Sequence, residues 1–215
     1  MKAIRILLIP GIILFIHSFS FAQENIVTSR PTQSIGAWTL PANSFQFEQG
    51  FTYGNDTLTL DGFFRLSFSS IGEIRVLTYY GSNDVNVEAK AMLMQPDDNK
   101  PGVAMKVSLG TNLVVNDFRL IVTKKLTDRF EIVGNVGQSL GTWYGIALLG
   151  VGLNDKMSTW VEAYYEGGYQ QYNSGLTFAL NSETQLDINF GLMDYEKGYI
   201  GVGFARRFKY DHLVH

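Results

Sequence analysis

The chain has 215 residues, enough for one sizeable domain, and its lack of cysteine excludes disulfide bonds and thiolate metal sites. Charged residues are only 17% of the chain, against roughly 25% in an ordinary soluble domain, while aromatic residues reach 13%. The formal net charge of −3 is too mild to indicate a nucleic-acid partner.

The N-terminus has the pattern of a secretory signal peptide over residues 1–22. Lys2 and Arg5 provide a basic start, and the short apolar run ILLIPGIILFI follows them. Ser20 and Ala22 are small residues at positions −3 and −1 of a cleavage site after Ala22. The sequence therefore predicts that the mature chain is exported.

Residues 23–43 lack the alternation of a strand and contain Arg30, Pro31, Trp38 and Pro41. Two placements are open for this segment: it lies in the periplasm, or it folds inward as a small plug. A partial plug is the preferred placement, because Trp38 would otherwise be exposed to water.

Residues 44–210 alternate between apolar and polar side chains with a period of two, which is typical of β-strands with two different faces. Between them fall about eleven turn signals rich in Gly, Asn and Asp, the residues that tight hairpins require. A Leu, a polar turn and an alternating strand recur at steps of about 27 residues, in LTDRFEIVGNVG, LNDKMSTWVEAY and LNSETQLDINFG. The repeated unit is an antiparallel hairpin. The sequence predicts an all-β, up-and-down antiparallel barrel of about 12 strands with short turns, followed by a tail at 211–215.

The orientation of the two strand faces separates a soluble barrel from a transmembrane one. Alternation alone does not exclude a soluble sandwich or lipocalin-like barrel with an apolar interior. Strands of about ten residues, however, match the ~9–11 that cross a bilayer at a tilt, and an even strand number with short turns is typical of outer-membrane barrels. The apolar face carries only Lys124 and Arg206, both near strand ends, where long side chains can reach water.

Aromatic residues gather at the strand ends, as the girdles at the two membrane interfaces require. One predicted girdle contains Phe45, Phe47, Phe68, Phe130, Phe208 and Tyr210, and the other contains Tyr53, Tyr80, Trp143, Tyr165, Tyr172, Tyr195 and Tyr199. These features predict a transmembrane barrel in the outer membrane of a Gram-negative bacterium. Its expected partners are outer-membrane lipid and, during biogenesis, the barrel-assembly machinery.

Two N-terminal stretches, RPTQS at 30–34 and LPANSFQFEQGFTY at 40–53, resemble the signature of the outer-membrane transporter-like family named for the MetA pathway of phenol degradation. The junction LTDRFEI and the end GVGFARRF at 201–208 are similar to that family's hairpin junctions and closing strand. The resemblance spans about residues 28–210 and implies an outer-membrane channel or transporter. Its motifs are mostly common to barrels, and the short loops of this chain imply no particular solute.

The polar face, projected inward, would line a lumen with charges of both signs. The predicted lumen-lining residues are Glu48, Asp61, Arg65, Arg75, Glu88, Lys90, Lys106, Arg119, Glu131, Trp160, Glu162, Tyr164, Asp187 and Arg207, with Glu73 on the same face. If the turn at 95–102 centres its hairpin, Glu88 faces Lys106. The charges either neutralise one another and fill a narrow lumen, or form a polar pathway that selects solutes. Trp160 and Tyr164 either form an aromatic constriction or pack the lumen.

Enzymatic chemistry has little support in the sequence. The three histidines, His17, His212 and His215, lie in the predicted signal peptide and tail, so no barrel strand offers the usual general base. No cofactor or metal site is predicted, and Asp97-Asp98-Asn99 is interpreted as a turn. We therefore expect a narrow channel or transporter for small solutes. The alternative is a structural or partner-binding outer-membrane barrel whose lumen is occluded.

Overall fold

A computed structural model of the protein describes residues 26–210, which form a closed barrel of twelve antiparallel β-strands. The predicted signal peptide and the predicted tail at 211–215 lie outside these residues. No helix within the described part of the chain is long and apolar enough to cross a membrane.

Each strand pairs with the next along the chain, and the last strand closes the barrel against the first. The strands are β1 Ser44–Gly54, β2 Thr57–Ser69, β3 Gly72–Tyr79, β4 Val85–Met94, β5 Gly102–Leu109, β6 Val115–Lys125, β7 Phe130–Ser139, β8 Thr142–Gly152, β9 Met157–Glu166, β10 Tyr169–Asn181, β11 Thr184–Met193 and β12 Lys197–Lys209. The predicted all-β, up-and-down architecture with twelve strands is confirmed.

The barrel has two ends, which we name by the position of the strand termini. The terminal end carries the start of β1, the end of β12 and the connections 70–71, 95–101, 126–129, 153–156 and 182–183. The far end carries the other connections, several of which are two-residue turns. Asn55-Asp56 and Gly167-Gly168 have positive φ at both residues, the geometry of a type I′ hairpin that Gly, Asn and Asp adopt at low cost.

The faces of the barrel are inverted relative to a soluble protein. Inward-facing charged residues such as Glu48 and Arg65 are 0% and 1% exposed, whereas outward-facing Val161 and Phe190 are 56% and 59% exposed. An exterior covered by exposed aliphatic and aromatic side chains is unfavourable in water and suits contact with lipid.

The two charged residues on the outer face reach toward the terminal end. Lys124 Nζ donates a hydrogen bond to the backbone oxygen of Asp98, in the 95–101 connection, at 2.7 Å. The Arg206 guanidinium lies 5.4 Å from the ring centroid of Phe208. Both contacts keep the charge away from the middle of the apolar band.

Aromatic residues mark both ends of the barrel, with one correction to the predicted girdles. At the terminal end Phe45 packs against Phe64 and Phe208, with ring centroids 6.3 and 6.2 Å apart. Tyr199 was expected on the outer face, and this expectation is wrong. Alternation along β12 turns Tyr199 inward, where its hydroxyl accepts a hydrogen bond from Gln171 Nε2 at 2.8 Å.

The inverted faces predict how the barrel responds to a charge on its outer surface. Val161→Arg should lower the free energy of unfolding from lipid vesicles by about 2–4 kcal/mol, because the new charge would lie within the bilayer. Urea titrations that follow the compact, unheated band on a detergent gel would measure the change. The matched control is Leu153→Arg, which lies in a turn and should cost about 0–1 kcal/mol. Equal losses in the two variants would contradict the orientation.

Candidate functional site

The interior of the barrel contains a stretch of the chain itself, residues 26–40, which we call the inner segment. Near the terminal end, the backbone oxygen of Val27 accepts hydrogen bonds from Gln46 Nε2 (2.9 Å) and Arg65 Nη1 (2.7 Å). The segment rises toward the middle of the barrel and then descends to Leu40, which is 1% exposed. It therefore leaves the interior at the end where it entered.

Carboxylates of the wall hold the inner segment by its backbone. Glu48 Oε2 accepts the N–H groups of Ser29 and Arg30 at 2.9 and 3.0 Å. Glu73 Oε2 accepts the N–H of Leu40 at 2.9 Å. Hydrogen bonds to an ionised acceptor are stronger than neutral ones, so each carboxylate fixes a point on the segment that has no strand partner.

Glu162 forms the third carboxylate contact, on the opposite side of the barrel. Its two oxygens accept the N–H groups of Gln33 (2.9 Å) and Ser34 (2.7 Å), and Asn173 Nδ2 donates to it at 2.9 Å. Trp160, two residues earlier, packs against the neighbouring strand at Gly175, where an added Cβ would lie only 2.3 Å from the indole ring. Trp160 thus packs against the wall and does not project across the interior.

Neutral side chains and a lysine complete the contacts to the descending half of the inner segment. Asn135 pairs with both backbone groups of Ile35, accepting at 2.8 Å and donating at 3.0 Å. Thr123 Oγ1 accepts the N–H of Ala37 at 2.8 Å. Lys90 Nζ donates to the backbone oxygens of residues 36 and 38. The wall therefore satisfies the backbone donors and acceptors that a strand would otherwise pair.

An apolar contact adds to these polar ones. Ile35 and Ala37 of the inner segment pack against Ala104 of β5 and Ile121 of β6, all four buried. The polar-inside interpretation missed this apolar patch. The available signal was the run LIV at 120–122, in which apolar residues occupy both faces of β6.

A row of alternating charges crosses the inner wall from β1 to β6. Arg65 lies between Glu48 (3.1 Å) and Glu73 (2.9 Å). Arg75 Nε is 3.5 Å from both Glu73 and Glu88. Because almost every member is buried, each charge needs its neighbours to offset the loss of hydration.

The row continues through Lys106 and ends at Asp117 of β6, since Lys106 Nζ lies 2.6 Å from Glu88 and 2.9 Å from Asp117. The predicted contact between Glu88 and Lys106 is present, but the expected register is wrong. The backbone of β4 places Lys90 opposite Lys106, since the pairing shifts between Met92 and Met94. Glu88 reaches Lys106 diagonally, a distance that long side chains span.

The remaining predicted residues lie apart from this row. Asp61 pairs with Arg30 of the inner segment, and Arg207 pairs with Glu183 of a terminal-end turn at 2.7 Å. Tyr164 stacks on Tyr144, with ring centroids 5.9 Å apart. Of the fourteen predicted residues, Arg119, Glu131 and Tyr164 are half-buried on the inner face and the other eleven are buried there.

Above the inner segment, a cavity of about 630 Å³ extends to the rim of the far end. We call it the vestibule. Residues 29–33 form its floor, and Asp61, Phe63, Arg75 and Arg119 are among its wall residues. Its volume lies within the roughly 300–1,000 Å³ that is typical of small-molecule sites.

No family model matches the chain, and no curated protein matches it either. Among solved structures, a KdgM porin is 12% identical with a TM-score of 0.65, covering 76% of this chain and 99% of the porin. The fold is that of a porin-type barrel. A NanC porin is 10% identical, with a TM-score of 0.57 and coverage of 75% and 98%. An outer-membrane channel from Pseudomonas putida F1 is 9% identical, with a TM-score of 0.53 and coverage of 84% and 100%.

These similarities extend to the fold alone, and the interior of this porin-type barrel is its own. The resemblance to the phenol-degradation transporter family stays a prediction, because no family model supports it. The outstanding feature of the interior is the contact between wall carboxylates and the inner segment.

The carboxylate contacts predict how firmly the inner segment is held. Ile35→Cys would supply a single thiol in a cysteine-free chain, and it should react slowly with a maleimide because residue 35 is only 8% exposed. Adding Glu162→Gln should speed labelling roughly tenfold, since bonds to a charged acceptor are worth about 1 kcal/mol more than neutral ones. Glu196→Gln, in an exposed far-end turn, is the matched control. Equal labelling in the two double variants would contradict the role of Glu162.

Proposed function

We propose that the protein is an outer-membrane channel for small solutes, held closed by its own inner segment. The observation that carries this proposal is the way the segment is bound. Side chains of the wall hold it through Glu48, Glu73 and Glu162, and none of its residues belongs to a strand of the barrel. A segment bound in this way can leave while the closed sheet stays intact.

The location in the outer membrane rests on three features together. The exposed apolar exterior suits lipid, the fold is shared with outer-membrane porins, and the N-terminus has a signal-peptide pattern that would be cleaved on export. Lipid and the barrel-assembly machinery are the partners that this location implies.

The free-energy cost of desolvating the wall carboxylates would differ little between the closed and open states of the channel. When the inner segment leaves, Glu48 and Glu162 lose backbone donors but face a lumen that water can enter, so they regain hydration. The apolar contact between Ile35 and Ile121 opposes departure. This opposition between hydration and apolar burial supports a segment that is displaced reversibly.

A second candidate is a structural or partner-binding barrel whose lumen stays shut. The row of ion pairs between β1 and β6 favours it, because buried pairs such as Arg65 with Glu73 fill part of the lumen permanently. The two candidates differ in one measurable property, ion flow after the inner segment is free to move.

A reversible cross-link tests the channel directly. A Cβ at Gly36 would lie 3.7 Å from Thr123 Oγ1, so cysteines at these two positions would be neighbours with their thiols within reach of each other. The variant Gly36→Cys with Thr123→Cys should be silent in planar bilayers when oxidised and should show discrete conductance steps after reduction. Each single-cysteine variant, which cannot form the cross-link, is the control. Its conductance should be the same before and after the reductant is added.

Two outcomes would overturn this assignment. Conductance that is the same before and after reduction would show that the inner segment does not close the pore. Silence in every state, with insertion verified by the heat-shifted gel band, would favour the structural or partner-binding barrel.

A further inference from the structure

The vestibule has more cationic than anionic side chains. Its charged lining consists of Arg30, Arg75, Lys106 and Arg119 against Asp61 and Glu88. Both carboxylates are engaged, since Asp61 pairs with Arg30 and Glu88 lies 2.6 Å from Lys106. Arg119 forms no ion pair among the described residues, and Arg75 shares its two carboxylates, Glu73 and Glu88, with other cations, so these two guanidinium groups give the vestibule its excess positive charge.

Arg119 has no carboxylate of its own within ion-pair distance among residues 26–210. Its Nε donates to the Tyr144 hydroxyl (2.7 Å), and its Nη1 donates to the backbone oxygen of Gln33 (2.8 Å) and to Asn135 Oδ1 (3.4 Å). Asp117 reaches it only through Tyr144, whose hydroxyl donates to that carboxylate at 2.6 Å. A half-buried cation with neutral partners is stabilised by an incoming anion.

Arg75 supplies a second positive charge to the vestibule wall. The residue is 1% exposed, and its Nη2 donates to Ser29 Oγ at 2.6 Å. Nε lies 3.5 Å from both Glu73 and Glu88, and neither Nε nor Nη1 has a hydrogen-bond partner in the described chain. Because both nitrogens are buried, Arg75 contributes positive charge behind the vestibule wall and not an exposed donor.

The wall beside Arg75 is apolar. Phe63 of β2 and Leu77 of β3 are paired across the two strands, and Tyr79 follows on the same inner face. The Arg75 guanidinium lies 4.5 Å from the Phe63 ring centroid. A ligand that reaches this corner thus meets cationic donors at one end and an aromatic and aliphatic surface along its body.

We propose that the vestibule binds small carboxylates with an apolar or aromatic body. The carboxylate contacts Arg119, with the positive charge of Arg75 behind the wall, and the body packs against Phe63, Leu77 and Tyr79. A sugar acid carries the same charge, but the faces of Phe63 and Leu77 offer no partner to its hydroxyl groups, which would have to turn away from this corner toward Thr59, Gln171 and Asn189. This inference deepens the proposed function, since it names the class of solute that the channel would take up at its far end.

The site can be tested without any ion flow, by ¹⁹F NMR of 4-fluorobenzoate added to the full-length barrel in detergent. Its line should broaden in the presence of protein and stay narrow with empty micelles. The neutral isostere 4-fluorobenzamide should not bind, and galacturonate should displace the probe poorly. Arg119→Gln should weaken binding roughly tenfold or more, because a charge-assisted hydrogen bond is lost. Arg129→Gln, which removes the same charge from a terminal-end turn, should leave binding unchanged.

The cross-linked form with cysteines at positions 36 and 123 separates this inference from the gate. It should bind 4-fluorobenzoate when oxidised, because the vestibule lies above the inner segment, and Arg119→Gln should weaken binding in that form too. Equal binding of the benzamide, no effect of Arg119→Gln, or stronger binding of galacturonate than of the probe would each overturn the site. Binding of the probe without conductance would overturn the proposed channel and support the carboxylate site. Conductance without binding would overturn the carboxylate site and support the channel.

Discussion

The structure depends on one constraint, that a charge turned into the closed barrel is costly unless a partner there offsets its lost hydration. Between β1 and β6 the wall meets this requirement with its own row of ion pairs, from Glu48 through Arg65 to Lys106. Glu162, on the far side, has no cation within ion-pair distance in the described residues and takes backbone N–H groups from the inner segment. The segment is thus part of the electrostatic balance of the barrel.

The sequence was sufficient for the fold because alternation with a period of two is a local property. In β5, the odd-numbered residues from Val103 to Leu109 face one side of the sheet, and the even-numbered residues from Ala104 to Ser108 face the other. Features that depend on contacts between distant residues were harder to predict. The register that pairs Glu88 with Ser108 and Lys90 with Lys106 is set across the whole hairpin. Tyr199, by contrast, follows the alternation of β12, in which odd-numbered residues face inward, so its sequence position held the signal.

The path of the inner segment was the least predictable feature, because it is fixed by acceptors far away in the chain. Ser34 and Glu162 are 128 residues apart, and Ile35 and Asn135 are 100 apart. Nothing near Ser34 in the sequence specifies these partners. The apolar contact of Ile35 with Ile121 was also hidden, since a polar lumen was expected to be polar everywhere. Trp38 was the residue that favoured an inward placement of this segment, because it would otherwise be exposed to water. The centroid of its ring lies 5.8 Å from Lys125 Nζ.

Because the inner segment enters and leaves at the terminal end, its removal requires no threading of the chain through the barrel. A force applied at residue 26, the end of the inner segment that is not joined to β1, would act first on the hydrogen bonds of Val27. It would then act on those to Glu48, and only later on those to Glu162. Bonds broken one after another yield at a much lower force than bonds sheared together. The hairpin path of residues 26–40 therefore makes the barrel mechanically weak against tension from one side of the membrane, although every individual contact is well made.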